Sequence, residues 1–343
     1  MTDIRHPALA PLRGFAAAAA LLVAVLVIAL GTGKYAVGPG DILRILLAGL
    51  FGIDNAASET AAAVIWNVRL PRVAAGLLIG AALAASGAVY QGLFRNSLVS
   101  PDILGVSAGA SLGAVIGIFL SGSVVLIQGL AFAGGLLAVG LVYLLGSAVR
   151  SRDPVLVLVL AGVAIGALLG AGISLLKVLA DPYNQLPAIT FWLLGSLANV
   201  TRGDLLSILP AMALGLLPLV LLRWRMNLMT LDDEEARALG IDTGKLRLLF
   251  IAAATLLTAA AVSVSGIVGW VGLLVPHIAR MLAGPSFSRL LPASLMLGGG
   301  YLVAVDTLAR SMAAIEVPLG ILTATIGAPF FLWLLMTARF GWR

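Results

Sequence analysis

The sequence predicts an all-α polytopic membrane protein of about ten transmembrane helices, with both termini cytoplasmic. Three observations predict it. First, 61% of the 343 residues are hydrophobic and 10% are charged. A soluble domain carries about 25% charged residues, so this chain lacks the charge to cover a water-exposed surface. The mean hydropathy of +1.11 agrees. Second, the apolar residues form long runs, near the roughly 20 residues that a helix needs to cross the hydrocarbon core. The alternation of a membrane barrel is absent. Third, if the N-terminus is inside, 14 of the 21 Lys and Arg fall on inner segments and 7 on outer ones. That bias sets the topology. Together these observations exclude a soluble enzyme and a nucleic-acid-binding domain, although the net charge is +6. There is no cysteine, so disulfides and thiolate metal sites are excluded too.

The elements follow in order as one transmembrane domain over residues 1–343. Residues 15–30 read as an uncleaved first span, because Gly31-Thr32-Gly33-Lys34 is a poor context for signal cleavage. A short amphipathic stretch occupies 41–50. Spans two to five cover 73–91, 103–120, 124–146 and 155–176. Residues 189–197 are too few to cross and read as a re-entrant or interfacial helix. Spans six to ten cover 205–222, 246–264, 268–282, 291–309 and 319–337. Residues 76–87 align with 255–266 at six of twelve positions. In this topology the two copies run in opposite directions, as inverted transporter repeats do.

Several constellations bear on chemistry. Gly105-Val106-Ser107-Ala108-Gly109 and Gly109-Ala110-Ser111-Leu112-Gly113 match the spacing of a nucleophile elbow. An elbow needs a strand–turn–helix and a histidine, and here both copies open a helix. A small-residue packing face is the better reading. An intramembrane serine protease using Ser107 or Ser111 with His277 is the alternative from another class. Gly240-Ile241-Asp242-Thr243-Gly244-Lys245-Leu246 falls one residue short of a phosphate loop and has Leu where the magnesium hydroxyl belongs. Any ATP must therefore be bound by a partner, and the chain itself holds no cofactor or metal.

The loop 226–246 is the most charged on the inner side. Thr230 with Asp233 reads as a helix N-cap and capping box. Asp232, Asp233, Glu234 and Glu235 suit a first turn, Ala236 and Leu239 give an apolar side, and Gly240 reads as the stop. A second short helix is expected from Asp242 or Thr243. Such an ordered element needs something to pack on, which points to docking of a cytoplasmic partner. In the ninth span, Asp306 stands four residues before Arg310, a pairing that neutralises a charge costly in lipid. Asp306 also leaves a stand-alone proton-coupled carrier as a second alternative. Arg69 and Arg72 lie on the outer side, against the topology rule, and suit either a headgroup anchor or an acidic protein surface.

Several segments together resemble the iron-siderophore, haem and cobalamin permease family of ABC importers, the type II importers. They are Arg69-Leu70-Pro71-Arg72-Val73, the small-residue run 80–87 with Gln91, Asn96-Ser97-Leu98, and Leu104-Gly105-Val106-Ser107-Ala108-Gly109-Ala110. Further along come Phe191-Trp192-Leu193-Leu194-Gly195-Ser196-Leu197, Ala236-Arg237-Ala238-Leu239-Gly240, the run 272–280, and Pro318-Leu319-Gly320 with 323–329. The resemblance implies a multi-pass subunit of the bacterial inner membrane that pairs with a second copy of itself. It implies two ATP-binding subunits below, which hold ATP and magnesium, and a periplasmic substrate-binding protein above. It places coupling helices at 231–244, and so at Leu231, Asp232, Asp233, Glu234, Glu235, Ala236, Arg237, Ala238, Leu239 and Gly240. It implies outward arginines that grip the binding protein, at Arg69, Arg72 and Arg310. It lines the path with the fifth and tenth spans, through Gly162, Gly166, Gly170, Thr323, Gly327 and Pro329. The gate often has small polar residues before the fifth span. Here Asp153-Pro154-Val155-Leu156 stands there, so no gate residue is assigned. The implied cargo is a metal chelate, with a ferric siderophore favoured and haem, cobalamin and molybdate open.

Overall fold

A computed structural model describes residues 9–33, 35–52, 58–149, 154–231, 233–313 and 315–337. The described residues are almost all helical: α1 (Leu9–Gly31), α2 (Pro39–Phe51), α3 (Glu59–Ala63), α4 (Leu70–Leu93), α5 (Val106–Phe119), α6 (Val124–Ala148), α7 (Pro154–Leu179), α8 (Gln185–Leu194), α9 (Arg202–Leu221), α10 (Arg223–Leu228), α11 (Asp233–Ala238), α12 (Thr243–Ser265), α13 (Val271–Ala283), α14 (Phe287–Ser311) and α15 (Leu319–Thr337). Seven stretches are long and apolar enough to cross a membrane; the apolar helices α5, α13 and α15 are shorter.

Loop contacts sort the helix ends into two groups, as alternating spans require. At the outer end, Gln185 donates to the Phe119 carbonyl at 2.8 Å and Arg202 to the Trp66 carbonyl at 2.6 Å. At the inner end, the Phe287 amide donates to Asn227 Oδ1 at 2.7 Å.

The core is built on α4 and α12, whose crossing windows are 78% and 72% buried, whereas those of α6 and α7 are 22% and 17% buried. Buried α4 and α12 pack against α14, α13, α9 and each other. The contact is close because it is made by small residues. A Cβ at Gly80 would overlap the Gly298 carbonyl, and one at Gly87 the Gly272 carbonyl. In a membrane, where the hydrophobic effect does not drive helices together, such close backbone approach supplies the packing. A similar seam joins α5 and α6 at Gly109 and Gly134.

Four boundaries differ from expectation. The second span begins far earlier: α3 continues through a π-helical turn, Val64–Arg69, into α4. Pro71 has no N–H to give the preceding turn; the π-helical turn opens the ladder just before it, and Arg202 supplies a donor to the Trp66 carbonyl at 2.6 Å. The third span is shortened by a 3-10 turn, Pro101–Leu104, before Gly105 at φ +78°. The eighth loses residues 268–270, part of a stretch, 266–270, that is not helical. Gly266 and Trp270 hold φ of +67° and +70° there, in the left-handed region. Non-helical backbone is tolerated at membrane depth only when protein covers it. Accordingly Leu104, Val106, Val268 and Val271 are buried. The Ser196 amide donates to the Ser265 carbonyl at 2.8 Å and the Leu319 amide to the Gly195 carbonyl at 3.0 Å. The short helix α8 stops at Gly195, not at Leu197.

Candidate functional site

Inner face. The charged loop folds into α10 and α11, and then directly into α12. Glu234, Glu235, Ala238, Leu239 and Gly240 are exposed, while Ala236 is buried. Asp232 lies outside the described residues, as do the side chains of Asp233 and Arg237. Gly240 ends α11 at φ +77°, and the Ile241 amide returns to the Ala236 carbonyl at 3.1 Å. That six-to-one bond is the Schellman closure. Leu239 projects beside it, 63% exposed. The Thr230 hydroxyl donates to the Asn227 carbonyl at 2.6 Å; the expected capping box with Asp233 involves a side chain outside the described residues. One expectation is corrected. There is no separate second short helix at Asp242. Asp242 accepts from the Lys245 amide at 3.1 Å and caps the long span α12. That amide bond, and then the Lys245 side chain, hold the Asp242 carboxyl below its usual range.

Outer end. Arg69, Arg72 and Arg310 come together around the end of α1. Arg72 Nε lies 3.0 and 2.9 Å from the two carboxylate oxygens of Asp306, and Nη2 donates to Oδ1 at 2.9 Å. The other side of the guanidinium grips Glu316, with Nη1 to Oε1 at 2.9 Å and Nη2 to Oε2 at 2.8 Å. Arg69 donates to the carbonyls of Leu30, Gly31 and Tyr35. Arg310 donates to those of Thr32, at 2.6 Å, and Ala29. The last carbonyls of a helix have no intrahelical partner, and here two arginines supply the donors. Arg69 and Arg72 are 4% and 8% exposed. The expectation of outward arginines is therefore corrected: these guanidinium groups face inward, because buried Asp306, half-buried Glu316 and the end of α1 hold them. The partner of Asp306 is likewise Arg72 on another helix. Arg310 Nε stays 3.8 Å away, beyond hydrogen-bond range.

Path faces. Nothing lies within 4 Å of a Cβ built at Gly166 or Gly170, so both open onto free space beside α7. Gly162 is different: a Cβ there would overlap the Ile103 carbonyl. Its place is a packing contact rather than a path lining. On α15, Thr323 and Gly327 are buried and Pro329 is exposed. Gly327 makes room for Trp270, whose ring meets Phe331 edge-on at 6.3 Å. Thr323 and Gly327 are thus corrected to internal positions.

The alternatives find no support in the geometry. Ser107 donates to Asp102, and Ser111 to the Ser107 carbonyl at 2.6 Å. Neither meets His277, which lies inside α13. Asp306 is tied to Arg72 by three hydrogen bonds and does not stand free as a carrier's carboxyl would. Among the described residues no group of three metal-ligating side chains occurs. One feature the sequence did not reveal is an outer cleft of about 300 Å³ between α6, α8, α9 and α12. Several of its polar groups are already engaged, with Gln128 donating to Asp204 at 2.7 Å and Ser263 to the Ala260 carbonyl at 2.9 Å.

Comparison with known proteins agrees across nearly the whole chain. The profile of the FecCD transport family matches residues 21–337. A molybdate import system permease of Haemophilus influenzae is 41% identical over 313 residues, covering 91% of each chain. A cobalamin import system permease of Halobacterium salinarum is 44% identical over 278 residues, 81% of this chain and 74% of that one. A solved structure assigned to the metal-chelate type of ABC transporter, in an inward-facing conformation, superposes with a TM-score of 0.85. It has 38% identity over 96% of this chain and all of the other.

Proposed function

Because the chain belongs to the FecCD transport family, a family of multi-pass permeases of type II ABC importers, we propose that it carries a metal chelate from the periplasm to the cytoplasm across a bacterial inner membrane. It does so without bond chemistry of its own. Two separate ATPase subunits bind ATP and magnesium, and a periplasmic binding protein delivers the cargo. A ferric siderophore is the favoured cargo. Relatives named for molybdate and cobalamin make the cargo a question for transport assays.

The observation that carries this reading is α11. A six-residue helix standing alone in water is far below the length at which helices persist. This one packs on the chain through buried Ala236, is closed at its C-terminus by Gly240, presents acids in its first turn and leaves Leu239 largely exposed. A partner groove with basic and apolar walls would complete it. The path then forms where α7 and α15 of two copies face each other, with Gly166, Gly170 and Pro329 on the open surfaces. When ATP closes the motor dimer, α10 and α11 move with it, and rigid helix rotation opens one side of the path as the other shuts.

Deleting residues 233–238 tests this. The ATPase subunits should no longer co-purify, although the permease still inserts and dimerises. Retained co-purification would remove the coupling role.

A further inference from the structure

The last turn of α4 ends in an unusual way. The Asn96 amide bonds to the Gln91 carbonyl at 3.1 Å and the Arg95 amide to the Gly92 carbonyl at 3.3 Å. These are the two bonds of a Schellman stop. The position between them must be left-handed, and Gly is its usual occupant because any side chain is strained there. Here it is Arg95, at φ +47°. Elsewhere in this chain the equivalent place after α11 is filled by Gly240.

The Arg95 side chain shows what the strain secures. Its guanidinium donates to the carbonyl of Leu231, two residues before α11 begins. Beside it a Cβ at Gly92 would meet Met226 of α10. On the other side, the turn runs through buried Val99 into Pro101–Leu104, and the Ile103 carbonyl abuts Gly162 of α7 without room for a methyl group. A continuous line of contacts thus runs from the ATPase-facing segment through Arg95 to α7.

We propose that Arg95 is a positioning residue that transmits displacement of α10–α11 to the α4–α5 turn and hence to α7. The inference rests on the proposed function, since it needs an ATPase that moves α11. Coupling through contiguous contacts has to be shown energetically and not by adjacency alone, so the variant must cut the link without harming the turn. Arg95→Gly does this: glycine suits φ +47° and removes the guanidinium. The permease, its ATPase and its binding protein are reconstituted in vesicles, and cargo uptake is measured per ATP hydrolysed. In Arg95→Gly the complex assembles and melts as the wild type does, but uptake per ATP falls about tenfold, within the range of measured couplings. Arg95→Lys, which can still donate to Leu231, restores most of it. An unchanged ratio in Arg95→Gly overturns the proposal. So does failure of Arg95→Gly to assemble, which would mean a purely structural role. If the wild-type permease itself binds no ATPase, the proposed function fails instead, and the two failures are told apart.

Discussion

Asp306→Ala is the sharpest perturbation of the outer charge cluster. It removes three hydrogen bonds to Arg72 and leaves a guanidinium that is 8% exposed with Glu316 as its remaining partner. Taking one member from a buried pair costs about 3–5 kcal/mol, because the other charge stays buried. Glu316 persists, so the lower end, about 3 kcal/mol, applies. Glu316→Ala is the control. Its side chain is 36% exposed, so water compensates and the loss is about 1 kcal/mol. Replacing both charges by apolar residues, as in Arg72→Met with Asp306→Leu, leaves no orphan and should recover most of the loss. The assay is thermal unfolding of the purified permease in detergent, with all variants at one protein concentration. At about 2 °C per kcal/mol for a chain of this size, Asp306→Ala should melt about 6 °C below wild type and Glu316→Ala about 2 °C below. Equal melting of the two single variants would refute the burial argument, and so would a double variant no better than Asp306→Ala.

Other outcomes follow from the same geometry. Arg69→Ala with Arg310→Ala leaves the last carbonyls of α1 without donors, so amide exchange at residues 31–33 should rise at least tenfold while α4 stays protected, as hydrogen-exchange mass spectrometry would show. Gly162→Ala should lower the melting temperature by several degrees, because its methyl meets the Ile103 carbonyl, whereas Gly166→Ala and Gly170→Ala should melt like wild type and change uptake alone. The Asp242 carboxyl is held below its usual range, so its contribution is complete above about pH 4. It is lost only as pH falls through the lower folded value, so exchange at the Lys245 amide should stay flat from pH 7 to 5 once corrected for intrinsic rates.

Which parts of this could be read from sequence depends on the length scale of the physics. Membrane helices announce themselves by composition alone, so each span was legible from its apolar run. Gly240 was legible as a stop because a helix end is a local problem. The break at Gly266 fell between the seventh and eighth spans as read, but its extension to Trp270 was not legible, because apolar residues continue through it and the left-handed backbone at Trp270 is imposed by packing against α15. Arg72 illustrates the same limit. Its charge was conspicuous, but its partners Asp306 and Glu316 stand 234 and 244 residues away. A single sequence carries nothing that pairs them, so an outward direction was the natural expectation. Arg95 was hidden for a related reason: a left-handed arginine reads like any loop arginine until its backbone is seen.

The most direct measurement is uptake of a radiolabelled ferric siderophore into vesicles that hold the purified permease, with binding protein outside and ATP inside, before and after adding the ATPase subunits. The account expects no ATP hydrolysis and no uptake by the permease alone, and both once the ATPase is present. Hydrolysis or ATP-independent uptake by the permease alone would contradict it.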